Sequence, residues 1–158
     1  MHRTQPFSPQ DLLDLTWQEV EPIARELTER ELSEENIVAW LLDWSELSRS
    51  LSEAHQRRYV ASTVDTTDAL AQQRYTAYLD DIHPNWLAVE QKLKEKLLAS
   101  GLQPAGMEIP LRNMRAEATL FREANLPLLS EELKLGREYD QIIGAQTVQW
   151  DGKERTLP

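Results

Sequence analysis

The residues best equipped for chemistry are three histidines and a set of adjacent carboxylates. His2, His55 and His83 are the only imidazoles in the chain. A metal-activated water needs two imidazoles about one helical turn apart, a third ligand and a carboxylate base. A helical His-Glu-x-x-His supplies most of that set, and the chain has no such motif. His83 follows Asp80 and Asp81, which offers at most a weak metal contact. Beside Pro84 it reads as an exposed helix histidine. His55, flanked by Glu53 and Arg57, reads the same way, and His2 falls in the N-terminal arm.

The carboxylate pairs are Glu34 with Glu35, Asp80 with Asp81, and Glu131 with Glu132. Acid–base work needs environments that push two such pKa values apart. These pairs sit at helix starts or on polar faces, where compensation of the helix dipole and solubility account for them. No glycine-rich phosphate loop is present, and no nucleophile-elbow pattern surrounds a serine. Cysteine is absent, so disulfides and thiolate zinc sites are excluded and a reducing compartment is permitted. No residue is therefore expected to be catalytic, to bind a cofactor or to ligate a metal.

The elements that would position any site are helical. Thr16-Trp17-Gln18-Glu19 has the form of a capping box, and Trp17, Val20, Ala24 and Leu27 then recur at alternating spacings of three and four. Pro22 falls early enough in that helix to be tolerated. Ser33-Glu34-Glu35-Asn36 opens a longer helix whose seam is Ile37, Trp40, Trp44, Leu47, Leu51 and Ala54. It should run to about Ser62, on the order of 45 Å. After the Thr66-Thr67-Asp68 turn, Tyr75, Leu79, Ile82, Trp86, Val89, Leu93 and Leu97 share one face. Pro84 in their midst predicts either a kink or two abutting helices, and Ser100-Gly101 is a stop. A loop over 103–110 leads to a fourth pattern, with Leu111, Met114, Ala118 and Phe121 inward and Asn125 as C-terminal cap. Ser130-Glu131-Glu132 starts a fifth, with Leu135, Tyr139 and Ile142 on one face, a weak point at Gly136 and an end at Gly144. Two β-prone runs around Asp151-Gly152 predict a hairpin with a type I′ turn. Trp17, Trp40, Trp44 and Trp86 fall on inward faces. Trp150, on the hairpin, is expected to be exposed.

Composition fits a folded chain: 158 residues, 28% charged, 41% hydrophobic. A net charge of −10 opposes phosphate backbones, so nucleic acid is not an expected partner. Lys92, Lys94 and Lys96 are broken by Glu90 and Glu95 and read as a solvated helix face. No apolar run approaches the ~20 residues of a membrane span, and no apolar signal segment opens the chain. The cytoplasm is the expected location, and a membrane is not an expected partner.

Four segments in order resemble the N-terminal region of the oligoendopeptidase F family of zinc metallopeptidases. They are Trp40-Leu41-Leu42-Asp43-Trp44-Ser45-Glu46-Leu47, Asp65-Thr66-Thr67-Asp68, the run Phe121 to Leu128, and Glu138 to Leu157. The resemblance covers about Trp17 to Pro158. It implies a helical, clamshell-like enzyme with a deep channel that admits short peptides. The part similar to this chain helps wall the channel, and the zinc ligands and glutamate base belong to a C-terminal catalytic domain. Because the chain reaches Leu157-Pro158 without the zinc motif, it is expected to be a separated or truncated front part, inactive alone, whose zinc and catalytic domain lie elsewhere. A free-standing helical interaction module without enzymatic activity is the alternative. The expected fold is mainly α: residues 1–158 as one elongated antiparallel helical bundle, with a terminal hairpin over 146–158 packing on missing sequence.

Overall fold

The computed structural model describes Phe7 and residues 11–156. His2, Pro9, Leu157 and Pro158 therefore lie outside the described residues. The fold is a helical bundle with a two-stranded antiparallel hairpin at its C-terminal side. A 3-10 turn at Asp11–Leu13 precedes α1 (Trp17–Glu29). At the start of α1 the Glu19 carboxylate accepts from both the backbone N–H and the hydroxyl of Thr16, each at 2.8 Å. The side chain of Asp81, from far along the chain, takes up the Trp17 N–H at 2.9 Å. The free donors of the first turn are thus met partly by distant sequence.

Helix α2 (Ile37–Val64) carries the seam expected of it: Ile37, Trp40, Trp44, Leu47, Leu51 and Ala54 are all buried. Ser33 to Asn36 form a turn ahead of the helix, so the helix starts at Ile37 and not at Ser33. Trp40 is fully buried, and its indole N–H donates to the Leu27 carbonyl at 2.9 Å, joining the end of α1 to α2. Arg30 adds a second tie there, pairing with Glu26 at 2.6 Å and Asp43 at 2.8 Å.

The third apolar pattern resolves into two abutting helices, α3 (Ala69–Asp80) and α4 (Ile82–Ser100). Asp68 caps α3, accepting from the N–H groups of Leu70 and Ala71 at 2.9 and 3.0 Å. The break falls at Asp81, not at Pro84. Pro84 lies in the first turn of α4, where its missing N–H has no intrahelical partner to lose. Gly101 ends α4 in the left-handed conformation, φ 69°.

Helix α5 (Glu108–Leu120) begins inside the stretch expected to be loop, again with a proline, Pro110, in its first turn. It stops at Phe121. Asn125 does not cap it but ends a 3-10 turn, Glu123–Asn125, that leads directly into α6 (Leu126–Gly144). Strands β1 (Thr147–Trp150) and β2 (Lys153–Thr156) flank a turn with positive φ at both Asp151 and Gly152, as a type I′ turn requires. Thr147 pairs with Thr156 and Trp150 with Lys153.

The apolar face assigned to α6 is corrected by the structure. Leu135, Tyr139 and Ile142 point outward, while Leu126, Ser130 and Arg137 are buried on the opposite side. Two of the lysines read as a solvated face also serve the packing of α4. Lys94 pairs with Glu117 of α5 at 2.9 Å, and Lys96 donates to the Thr28 carbonyl of α1 at 2.6 Å. Among the described residues, no helix is long and apolar enough to cross a membrane.

Candidate functional site

The seam of α2 continues past Ala54 into Arg58 and Ser62, both buried. A charged residue on an apolar stripe must find partners, and Arg58 does. Its Nε donates to the Leu13 carbonyl at 2.9 Å, one terminal nitrogen donates to the Leu15 carbonyl at 2.8 Å, and its guanidinium lies 5.0 Å over the Tyr78 ring. Arg137 of α6 repeats the arrangement more loosely. It donates to the Ser62 carbonyl at 3.3 Å and stands 5.7 Å over the Tyr75 ring. In each guanidinium the other terminal nitrogen is buried without a protein partner.

Between these two arginines lies a cluster of rings drawn from three helices. His55 (α2) sits 5.6 Å from Tyr75 and 5.4 Å from Tyr78 of α3, and 6.4 Å from His83 of α4, measured between ring centroids. Tyr59 lies 5.7 Å from Tyr75. His55 and His83 are thus half-buried, not exposed helix histidines. Gln56 approaches His55 Nδ1 at 3.3 Å, and the Tyr75 hydroxyl approaches Nε2 at 3.3 Å. An amide nitrogen only donates, so Nδ1 accepts. The neutral ring then carries its proton on Nε2 and donates to Tyr75. His83 Nδ1 is buried without a partner.

The electrostatics favour neutral rings. Burial lowers His55, and Arg58 acts in the same direction. Burial also lowers His83, with His55 as second cause. Burial raises the Tyr75 phenol, reinforced by Tyr59. Tyr78 is raised further by burial, against the opposing charge of Arg58.

A cleft of ≈ 490 Å³ opens beside the cluster, between α2 and α6, where His55, Tyr59, Tyr75, Glu132, Arg137 and Asp140 line it. A second of ≈ 470 Å³, at the start of α2 against residues 101–104, has Glu34 as its one charged lining residue. The carboxylates beside His83 are occupied elsewhere: Asp80 with Lys134 and Asp81 with the Trp17 N–H. Glu53, beside His55, pairs with Arg49 and Arg57. Among the described residues no group of three or more His, Asp or Glu stands together to hold a metal ion. The imidazoles of His55 and His83 lie 6.4 Å apart between centroids with 29° between their planes. These side chains do not fit a catalytic zinc.

The tryptophans fall largely where their spacing put them. Trp40, Trp44 and Trp86 are buried, Trp17 is half-buried, and Trp150 is 65% exposed. The ring cluster itself was not anticipated. Its one sequence signal is Arg58, which falls on the α2 seam at the next four-residue step after Ala54.

The architecture on which these residues sit has a counterpart among known families. The family profile described as peptidase M3 N-terminal domain matches residues 7–108. The chain belongs to that family. The match spans α1 to α4 and the whole ring cluster of His55, Tyr75, Tyr78 and His83. It stops where α5 begins, so the Phe121 and Glu138 segments lie outside it. No curated protein and no solved structure matches the chain.

Proposed function

We propose that this chain is the N-terminal, non-catalytic helical domain of an oligoendopeptidase F-like zinc metallopeptidase that hydrolyses short peptides. In this reading it forms part of the wall of a substrate channel and restricts substrates by size. A C-terminal catalytic domain brings the zinc and the glutamate base, and the complete enzyme works in the cytoplasm. The observation that carries the reading is the M3 N-terminal match over α1 to α4 in a chain with no His-Glu-x-x-His. The ring cluster supports a structural role: burial pushes both histidines toward the neutral form, and His55 is engaged with Tyr75 and Tyr78.

The test is the intact mass and zinc content of the native product in its source cells, with a quenched-fluorescent peptide as activity probe. A zinc-containing product several times larger than 18.3 kDa, cleaving the peptide and inhibited by a chelator, is expected. This chain alone should not cleave it. A native product of 18.3 kDa that co-purifies with no zinc-bearing chain would remove the peptidase reading and favour a helical interaction module.

A further inference from the structure

The cleft of ≈ 490 Å³ between α2 and α6 falls within the range of small-molecule pockets, about 300–1,000 Å³. One wall, with His55, Tyr59 and Tyr75, lies inside the family match, and the α6 wall lies beyond it. The lining divides by depth. Tyr75 and Arg137 are buried and form the floor, while Tyr59, Glu132, Tyr139 and Asp140 are exposed and form the rim. The middle of the α6 wall is Gly136, four residues from Glu132 and four from Asp140, hence between them on one helix face. Glycine weakens a helix interior relative to alanine. Packing does not require it here, because a Cβ at Gly136 would meet nothing within 4 Å. A side chain there would instead occupy the cleft.

Charge sorts by depth as well. Arg137 is only 6% exposed. Its contacts are the Ser62 carbonyl at 3.3 Å and the Tyr75 ring, and one terminal nitrogen is buried without a partner. A buried guanidinium is costly until an anion meets it, and a carboxylate matches its fork. Glu132 and Asp140 place the opposite sign at the rim, and neither forms an ion pair with a described residue. A plain anion is therefore repelled at the rim, and a plain cation by Arg137 at the floor. A small molecule carrying both charges satisfies both. Asp140 follows Arg137 by three residues, which makes them neighbours on the helix surface, yet the two do not pair. An α-amino acid, with both charges on one carbon, is of the right size to bridge them.

We infer that this cleft binds a free α-amino acid with an apolar side chain. Its carboxylate pairs with Arg137 and its ammonium with Asp140, with Glu132 adding negative potential from the far side of Gly136. The side chain lies over Gly136 against the rings of Tyr59 and Tyr139. The site needs no zinc and no catalytic domain, so it does not rest on the function proposed above.

Isothermal titration calorimetry of this chain with L-leucine tests it. N-acetyl-L-leucine lacks the ammonium and L-leucinamide lacks the carboxylate, and each should bind about tenfold or more weakly than leucine. Gly136→Leu should fold at least as well as wild type, since the new side chain meets open space and improves helix propensity, and circular dichroism checks that. It should weaken leucine binding by about tenfold or more. Asp140→Asn should weaken leucine but not N-acetyl-L-leucine, a selectivity that a merely structural role would not give. No leucine binding up to about 10 mM, where even a site with a Kd of about 1 mM is mostly filled, would overturn the inference. So would leucinamide binding as tightly as leucine, which would make the cleft a cation site. L-leucyl-L-leucine binding more tightly than leucine would make it a peptide site and overturn the amino-acid assignment. Unchanged leucine binding in Gly136→Leu would place the ligand outside the cleft, with the same consequence. Each of these failures leaves the zinc-peptidase reading standing.

Discussion

The stretch from α1 to α4 and the stretch from α5 to the hairpin differ in how much of their apolar surface they bury. In the first, the seams close on each other: Val20, Leu27, Trp40, Leu47, Leu51, Leu79, Ile82, Leu93 and Leu97 are all nearly inaccessible. In the second, Leu111 and Leu126 are the buried hydrophobic residues, while Ile109, Leu120, Leu128, Leu135, Tyr139, Ile142 and Trp150 are exposed. The family match covers the first stretch and stops at the second. A core that satisfies itself gives a stable scaffold, whereas a helix apolar on both sides is complete only with something packed on it.

The sharpest contrast is between two tryptophans. Trp40→Ala removes a fully buried indole and its hydrogen bond to Leu27, and should cost about 3–5 kcal/mol in urea unfolding. Trp150→Ala, on the hairpin, should stay within about 0.5 kcal/mol. Comparable losses at the two sites would mean that the hairpin is packed as tightly as the core, and the contrast would disappear.

The two buried arginines give the next largest difference. Arg58→Met keeps most of the side-chain volume but leaves the Leu13 and Leu15 carbonyls without their donor, and should cost about 3 kcal/mol. Arg137→Met loses a single long contact to Ser62 and should cost about 1 kcal/mol. Matched denaturation curves for the two variants decide it. A larger loss at Arg137 would place the anchor of the ring cluster on α6 instead of α2.

The histidines, both in the first stretch, make its stability depend on pH. His55 and His83 have folded-state pKa values below the usual 6.5, with burial the first cause in both. The unfolded chain then binds more protons than the folded chain between the lowered values and 6.5, so stability rises with pH across that window. It is fully present above 6.5 and is lost as pH falls from there toward the lowered values. Thermal unfolding should show a midpoint that drops from about pH 7.5 to about pH 5. His55→Gln/His83→Gln should flatten that drop. Asp65, held low chiefly by hydrogen bonds from Thr67, titrates well below this window and does not confuse it. An unchanged slope in the double variant would show that the rings are not what resists protonation.

Much of the first stretch was legible because its periodicity and its burial have the same cause. Every residue of the α2 seam from Ile37 to Ala54 is inside, and Thr16 with Glu19 starts α1 as the spacing required. The misplaced boundaries share a physical origin. Pro84 and Pro110 both lie in first turns, where proline is tolerated, so reading each as a break shifted a helix start by a few residues. The ring cluster escaped because His55, Tyr75, Tyr78 and His83 meet only once three helices are packed, and no spacing along the chain encodes that. The inverted face of α6 is more instructive. Periodicity reports that a face will be covered, and it does not report whether the cover comes from the same bundle. Leu135, Tyr139 and Ile142 carry a valid amphipathic signal that this bundle does not satisfy.

The smallest predicted effect tests that distinction most directly. Leu135 is 56% exposed and lies on the far side of α6 from Leu133, which packs on the core. If nothing within this chain covers the outer stripe of Leu135 and Ile142, Leu135→Ser removes little buried area, and its urea midpoint should match wild type to within about 0.5 kcal/mol. Leu133→Ser, two residues away on the same helix with nearly the same local propensity, is partly buried against the core and should lose about 1 kcal/mol more than Leu135→Ser. Equal and large losses would mean that the hairpin or residues outside 11–156 fold back over the stripe in solution. The outer face would then be core, and the second stretch would be as self-contained as the first. Equal and small losses would mean that α6 is held by its arginine and its short connections, with little contribution from its inner face.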